Sequence, residues 1–152
     1  MLRSSVFARS VSRNWAEHDV YPVPWYSVAL YETLARRVRL HNRFFEDFEL
    51  KAFRDLLGVP DKKLETFSNL KLRAITPAVD EINALASFGC KVEPHKQGRK
   101  VVGVRVYWWR KDIDGLKQAY AELQRPKIGR RARLKGDTEQ VVETPSLFDP
   151  EL

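Results

Sequence analysis

Cysteine is almost absent from this 152-residue chain, whose single thiol belongs to Cys90. One thiol cannot form an internal disulfide, and a reducing cytoplasm is the simple expectation for such a chain. The three histidines, His18, His41 and His95, are scattered and form neither an H-x-H pair nor a zinc-binding pattern with Cys90. We therefore expect no metal site and no disulfide-stabilised scaffold.

Other signatures of membrane or enzyme function are missing as well. No apolar run approaches the about 18–20 residues that a membrane helix requires. No G-x-x-x-x-G-K-[ST] loop and no nucleophile-and-base set of side chains is recognisable. The sequence thus predicts a protein that makes no membrane contact, needs no cofactor and is not an enzyme.

The first 13 residues lack acidic side chains and contain three arginines. Organellar transit peptides share this composition, but we favour a disordered start, and the absence of an apolar core argues against secretion. Pro22 and Pro24 predict that the stretch up to Trp25 is extended. We assign residues 1–25 to an N-terminal extension.

Positive charge is plentiful but unevenly distributed. The net charge is +7, yet residues 137–152 contain five acidic and no basic residues. Residues 1–136 therefore carry 27 basic and 15 acidic residues, a net charge of +12. A region with this net charge attracts polyanions. We therefore favour nucleic-acid binding over simple solubility as the explanation for the positive charge.

Apolar periodicity predicts three helices in the first half of the chain. One is expected from Ser27, a second spans residues 49–57 and ends at Gly58, and a long third spans about residues 64–86 with a kink or break at Pro77. The inward face expected for the first helix consists of Val28, Tyr31, Leu34, Ala35 and Val38.

Strand patterns and a last helix follow. Residues 44–48 predict a short strand, and residues 90–93 and 101–109 predict a hairpin whose turn occupies residues 94–100. Asp112 is a suitable N-cap for a helix over residues 113–123. The apolar stripe expected on that helix consists of Leu116, Ala119, Tyr120 and Leu123.

The predicted order of elements defines the fold class. A helix-turn-helix followed directly by a β-hairpin is the winged-helix arrangement, an α+β fold in which the hairpin turn projects as the wing. We predict a single winged-helix domain at residues 26–124. Residues 125–152 are poor in apolar residues and are predicted to form a disordered tail, first basic and then acidic.

A polar and basic stripe is expected on the outer face of the long helix. Arginine pairs with guanine edges and asparagine with adenine edges in the major groove, although an ordinary solvated face explains the pattern equally well. At about 100° per residue, the stripe comprises Lys62, Thr66, Asn69, Arg73 and Thr76, with Lys63 and Lys71 beside it.

Two further basic clusters are candidate phosphate contacts. Around Gly98 the predicted turn carries His95, Lys96, Arg99 and Lys100. Six of the eleven residues 125–135 are basic and predict a flexible arm, whose binding candidates are Arg130, Arg131 and Arg133. Plain solubility is the alternative for the turn, and local disorder without a partner is the alternative for the arm.

Three short motifs lie between residues 49 and 109. They are Leu50-x-x-Phe53-Arg54-x-x-Leu57-Gly58-Val59, Pro77-Ala78-Val79-x-Glu81-Ile82-Asn83 and Gly98-Arg99-Lys100-Val101-Val102-Gly103-Val104. Together they resemble the replication initiator protein A family of bacterial plasmids. The resemblance implies a winged-helix protein that binds double-stranded origin repeats, often represses its own gene and recruits host replication proteins. It also implies a recognition helix within residues 64–76, a wing at residues 94–100, and structural roles for Glu81, Ile82 and Asn83.

Several alternatives stay open. Many related initiators carry two winged-helix domains, so this chain is a short member, a fragment or a relict of that family. A winged-helix transcription regulator without a replication role, a DNA-processing enzyme and a protein-docking winged helix are the competing functions. Near the C-terminus, residues 144–148 resemble a sliding-clamp-binding peptide with Thr144 in place of glutamine, which makes Leu147 and Phe148 candidate docking residues.

Overall fold

The computed structural model describes residues 24–127 and 129–136. The predicted N-terminal extension up to residue 23, the acidic tail and the docking residues Leu147 and Phe148 lie outside them. The elements are α1 (Pro24–Arg37), β1 (Phe45–Glu49), α2 (Leu50–Leu57), α3 (Phe67–Leu70), a π-helical turn (Lys71–Ile75), α4 (Thr76–Leu85), β2 (Phe88–Gln97), β3 (Lys100–Arg110), α5 (Ile113–Gln124) and α6 (Arg130–Lys135). The α+β class and the predicted order of elements are confirmed, whereas the bounds of the predicted domain stay a prediction.

The three strands form one antiparallel sheet in the order β1–β3–β2. β1 leads into α2 without a loop, because Glu49 ends the strand and Leu50 begins the helix. Gly103 of β3 lies opposite Glu49, and a Cβ atom there would come within 2.5 Å of the carbonyl oxygen of Phe48. The close pairing of β1 with β3 therefore requires glycine at this position.

A single apolar core lies between the sheet and the helices. Phe53, Leu57, Leu70 and Ala74 are fully buried, as the predicted periodicity of α2 and the long helix requires. Val104, Val106 and Trp108 of β3 point into the same core. The apolar faces of these elements are confirmed, and Cys90 packs among them as predicted.

The first helix differs from its prediction in both start and orientation. It begins at Pro24, so Trp25 is helical rather than extended. The buried face consists of Tyr26, Leu30 and Leu34, and Val28 and Tyr31 are 47% and 45% exposed. The predicted start at Ser27 excluded Tyr26. The buried residues Tyr26, Leu30 and Leu34 follow one another at intervals of four residues, and this spacing defines the apolar stripe.

The long helix starts later than predicted. Lys62 and Leu64 have φ angles of 66° and 49°, in the left-handed region that a right-handed helix cannot contain. The helix begins instead at Phe67, with Thr66 as its N-cap. The break predicted at Pro77 takes the form of the π-helical turn, which widens the helix just before the residue that has no amide hydrogen to donate.

Asn83 fastens the long helix to the edge of the sheet. Its side-chain amide donates to the carbonyl oxygen of Cys90 at 3.0 Å, and its side-chain oxygen accepts from the Cys90 amide at 2.8 Å. Both backbone groups face away from β3, at the outer edge of β2. The structural role expected for Asn83 is confirmed.

The C-terminal helices correct two expectations. Asp112 caps α5 as predicted, accepting from the Gly115 amide at 2.8 Å. Of the predicted inward stripe only Ala119 is buried, and Leu116, Tyr120 and Leu123 are exposed. Residues 130–135 form α6 and are not a disordered arm, because Glu122 on α5 holds their arginines.

Candidate nucleic-acid interface

The loop between α2 and α3 is held by an arginine that the sequence motifs contained but did not explain. Gly58 ends α2 in the left-handed conformation, with φ of 71°. The Arg54 guanidinium then donates to the carbonyl oxygens of Lys63 and Leu64, the latter at 2.6 Å. Arg54 is thus a positioning residue, because it fixes the backbone that leads into α3.

Lys62 and Lys63 lie on this loop and not at the start of a helix, as the sequence had suggested. The helix begins at Phe67, so neither lysine lies in its first turn, where the helix dipole would favour an anionic phosphate beside it. Both side chains are exposed on the surface of the loop. Their predicted part in DNA binding therefore depends on the loop conformation that Arg54 maintains.

The segment Phe67–Ile75, α3 plus the π-helical turn, is here called the recognition segment. The predicted reading residues Asn69, Lys71 and Arg73 are exposed on it, and none of the three side chains forms an ion pair within the part of the chain that the structure describes. Thr66, directly before it, has a structural task, since its hydroxyl accepts from the Asn69 amide at 3.3 Å. Thr76, directly after it, is exposed as predicted.

Leu72 is a surface residue that sequence reasoning missed. Its side chain is 69% exposed in the middle of the recognition segment, between Lys71 and Arg73. The spacing of the buried residues Leu70 and Ala74 leaves Leu72 off the core face, so the periodicity itself is the signal that indicates its exposure. An exposed apolar side chain flanked by cations suits contact with the methyl group of thymine.

The wing is longer and its turn tighter than predicted. Gln97 pairs with Lys100, so the turn consists of Gly98 and Arg99 alone, and the φ of 63° at Gly98 matches a type II′ hairpin. His95 and Lys96 therefore lie on β2, and Lys100 lies on β3. A bulge between His95 and Lys96 shifts the register below the turn. All four basic residues of this wing tip, residues 95–100, are exposed.

Charges at the base of the sheet are compensated, in contrast to those of the wing tip. The Arg105 guanidinium donates to both carboxylate oxygens of Asp47, at 2.6 and 2.7 Å, and lies 4.6 Å from the centre of the Phe45 ring. This hydrogen bonding lowers the pKa of Asp47. Lys91 pairs with Glu93 at 2.5 Å. Lys96, Arg99 and Lys100 form no ion pair with an acidic side chain of the described residues, whereas His95 also contributes to lowering the pKa of Asp47, so the positive potential is concentrated at the turn.

The basic residues of α6 differ in their availability. Arg130 and Arg133 are largely covered and pair with Glu122 at 3.3 and 2.8 Å. Arg125 approaches the same carboxylate at 3.7 Å. Only Arg131 of the three predicted arm residues is exposed. The arm is therefore a folded element in which Arg130 and Arg133 anchor the helix.

Glu122 is expected to control this anchoring. Hydrogen bonding from Arg133 lowers the pKa of Glu122, so the contact is complete above the ordinary value of 4.5 and is lost as the pH falls through the lowered pKa. Each such ion pair contributes about 0.2–1 kcal/mol. At neutral pH, Glu122→Gln should raise the rate of tryptic cleavage after residues 130–133 by up to about fivefold. Asp114→Asn, an exposed change on the same helix, is the control and should leave cleavage unaltered.

The recognition segment and the wing pack against partly different elements and share α4 as a neighbour. The main contacts of the π-helical turn are with α1, α3 and α4, whereas the wing strands contact β1, α2 and α4. That both groups face one duplex stays a prediction. Within residues 24–127 and 129–136 no cluster of three or more metal-binding side chains occurs, and none of the helices there is long and apolar enough to span a membrane.

Comparison with known families identifies the central part of the chain. Residues 49–108 match the family model described as Initiator Rep protein, WH2. The matched range covers α2, the recognition segment, α4 and nearly all of the hairpin, and α1, α5 and α6 lie outside it. A comparison with curated proteins gave no match. The resemblance to winged-helix replication initiators is confirmed.

Proposed function

We propose that the protein is a replication initiator that binds double-stranded DNA at a plasmid origin, because residues 49–108 match the family model described as Initiator Rep protein, WH2. It binds in a sequence-specific manner and is not an enzyme. The proposal is carried by one observation above all: the matched residues contain both the recognition segment and the wing, whose cations are exposed.

The recognition segment enters the major groove in this proposal. Arg73 pairs with a guanine, Asn69 with an adenine, and Leu72 contacts a thymine methyl group, which are the partners that these side chains prefer. Lys62, Lys63 and Lys71 contact the flanking phosphates. Arg54 has no direct role in binding but keeps the loop in place.

The wing supplies a second, less selective contact. Lys96, Arg99 and Lys100 neutralise phosphates or follow the minor groove, with His95 beside them. Arg131 adds a cation from α6. Asp47 and Glu93 of the sheet are engaged with Arg105 and Lys91, which limits how far these two carboxylates offset the attraction between the wing tip and DNA.

Origin binding is tested by footprinting. Purified protein is incubated with the DNA that flanks its own gene, and protected positions are mapped at several salt concentrations. Protection of discrete, repeated sequences supports the initiator, whereas protection of a single promoter-proximal site favours the transcription regulator. Uniform, salt-sensitive coverage without discrete sites would contradict sequence-specific recognition.

Removal of the wing cations should change the salt dependence of binding. Each phosphate contact contributes about 0.9 to the slope of log K against log salt, so Arg99→Ala with Lys100→Ala is expected to reduce the slope by about 1.8 for every sequence. Lys91→Ala is the matched control, because this lysine is already paired with Glu93 at the base of the hairpin. A slope equal to that of the unmodified protein would remove the wing from the interface.

A further inference from the structure

The π-helical turn joins two parts of one long helix that have different tasks. α4 is anchored, because Ala78 and Ile82 are buried in the core and Asn83 is hydrogen-bonded to β2. The recognition segment before it carries the exposed candidate reading residues. The backbone stays right-handed helical across the junction, with φ and ψ of −58° and −47° at Leu70 and of −58° and −49° at Thr76. The rotation between the two parts therefore decides which side chains of the recognition segment face away from the core.

The turn is one residue wider than a turn of an α-helix. The Thr76 amide donates to the carbonyl oxygen of Lys71, five residues earlier, and not to that of Leu72, four residues earlier. A turn closed over five residues advances by less than the about 100° per residue of an α-helix. The recognition segment is thus rotated about the helix axis, relative to its position in a regular α-helix that continues α4.

The burial of individual residues reveals this rotation. Counted back from Ile82 at about 100° per residue, a regular α-helix would place Lys71 about 20° and Leu70 about 120° from the direction of Ile82. The lysine would then point into the core and the leucine away from it. The structure shows the reverse, because Leu70 is 0% exposed and Lys71 is exposed. One residue of the turn is therefore an insertion in an otherwise α-helical pattern.

Pro77 explains why the wide turn lies where it does. In an α-helix the amide of residue 77 would donate to the carbonyl oxygen of Arg73, but proline has no amide hydrogen and its ring would clash with that carbonyl group. A wider turn directly before the proline relieves the clash. The Pro77 side chain is half-buried and offers no hydrogen-bond donor or acceptor. Any effect of Pro77 on DNA binding would thus be exerted through the residues that it positions.

We propose that Pro77 is a positioning residue for sequence recognition, which acts by keeping the π-helical turn open. This inference rests on the proposed function, in which the recognition segment reads the major groove. The open turn exposes Lys71, Leu72 and Arg73 in succession. In a regular α-helix Lys71 would turn towards the core, and the order in which the reading side chains meet successive base pairs would change. Wide turns of this kind occur frequently at functional sites.

Pro77→Ala tests the proposal, because it keeps every proposed DNA contact and every charge. Alanine restores the amide and removes the clash, so the midpoint of chemical denaturation should be unchanged or higher. The ratio of cognate to scrambled binding should fall at least about fivefold, as expected when a bidentate base contact is misplaced. The salt slope on scrambled DNA should stay the same, since no cation is lost.

Pro126→Ala, at an exposed proline after α5, is the matched control and should change neither stability nor discrimination. Unchanged discrimination in Pro77→Ala overturns the proposal. A loss of discrimination in step with a loss of stability overturns it as well, because that result indicates a purely structural role. If the unmodified protein distinguishes cognate from scrambled DNA and Pro77→Ala does so equally well, the proposed function stands and only the role of Pro77 is rejected.

A second variant removes the inserted residue itself. Deletion of Leu72 shortens the helix by one residue, so that a regular α-helix would again bury Leu70. Leu72→Ala is the matched control, since it removes the same side chain and keeps the wide turn. We expect the deletion variant to fold and to lose at least about tenfold more discrimination than Leu72→Ala, although both retain Lys71 and Arg73. Equal discrimination by the two variants, or failure of the deletion variant to fold, contradicts the proposal.

Discussion

Replacing Arg73 by alanine is expected to weaken binding to the cognate duplex by about 1–3 kcal/mol, or about 5- to 150-fold, while hardly affecting binding to unrelated DNA. Its guanidinium is exposed on the π-helical turn, and no acidic side chain of the described residues engages it. The bidentate pair with guanine contributes both to the affinity for DNA and to the discrimination between cognate and unrelated sequences, so its loss reduces both. Competition between cognate and scrambled duplexes at fixed salt measures the effect.

Two variants sharpen the interpretation of this result. Arg73→Lys keeps the charge but cannot form the planar bidentate pair, so most of the discrimination should still be lost. Lys71→Ala removes a neighbouring cation, and we expect a similar loss for all sequences together with a reduction of the salt slope by about 0.9. If Arg73→Ala lowers cognate and scrambled binding equally, Arg73 contacts phosphate and the reading role belongs to another residue.

Asn83→Ala should have the largest effect on folding stability. It leaves the amide and the carbonyl group of Cys90 without their side-chain partners at a residue that is 1% exposed. Each buried polar group left unsatisfied costs about 1–3 kcal/mol, so we expect the free energy of unfolding to fall by about 2 kcal/mol or more. Chemical denaturation followed by tryptophan fluorescence measures the change.

A matched pair of asparagines on the same long helix provides the control. Asn69→Ala removes an exposed side chain, and its effect on stability should stay within about 0.5 kcal/mol. For DNA affinity we expect the opposite order, with the larger loss for Asn69→Ala, because Asn69 is the candidate contact with adenine and Asn83 is not. Equal stability of the two variants would show that the Asn83 bridge contributes little to the attachment of the helix to β2.

Local patterns were sufficient to predict much of the fold. The apolar spacing of α2 and of the long helix identified Phe53, Leu57, Leu70 and Ala74, because a helix buried on one side must repeat its apolar residues every three to four positions. Gly58 and Asp112 marked helix ends through their own backbone and side-chain chemistry. Such features are determined by residues that are close in the sequence, and they can therefore be predicted from the sequence.

Other features depend on contacts that are remote in sequence. The left-handed backbone at Lys62 and Leu64 accompanies hydrogen bonds from Arg54, about ten residues earlier, which no local pattern announces. The exposure of Tyr120 and its neighbours on α5 could not be anticipated either, because an apolar stripe shows that a helix face favours burial without specifying the partner. For the same reason, the position of the recognition segment relative to the wing does not follow from composition.

The direct passage from β1 into α2 has a mechanical consequence. Phe48 and Glu49 are paired with Val104 and Gly103 just below the wing, and the next residue begins the first helix of the helix-turn-helix. A force applied at the hairpin tip is therefore transmitted to α2 through strand pairing, with no flexible linker to absorb it. If the shapes of the protein and the duplex do not match, the DNA and not the protein would have to bend. The bending stiffness of a DNA sequence would then influence which sites are bound.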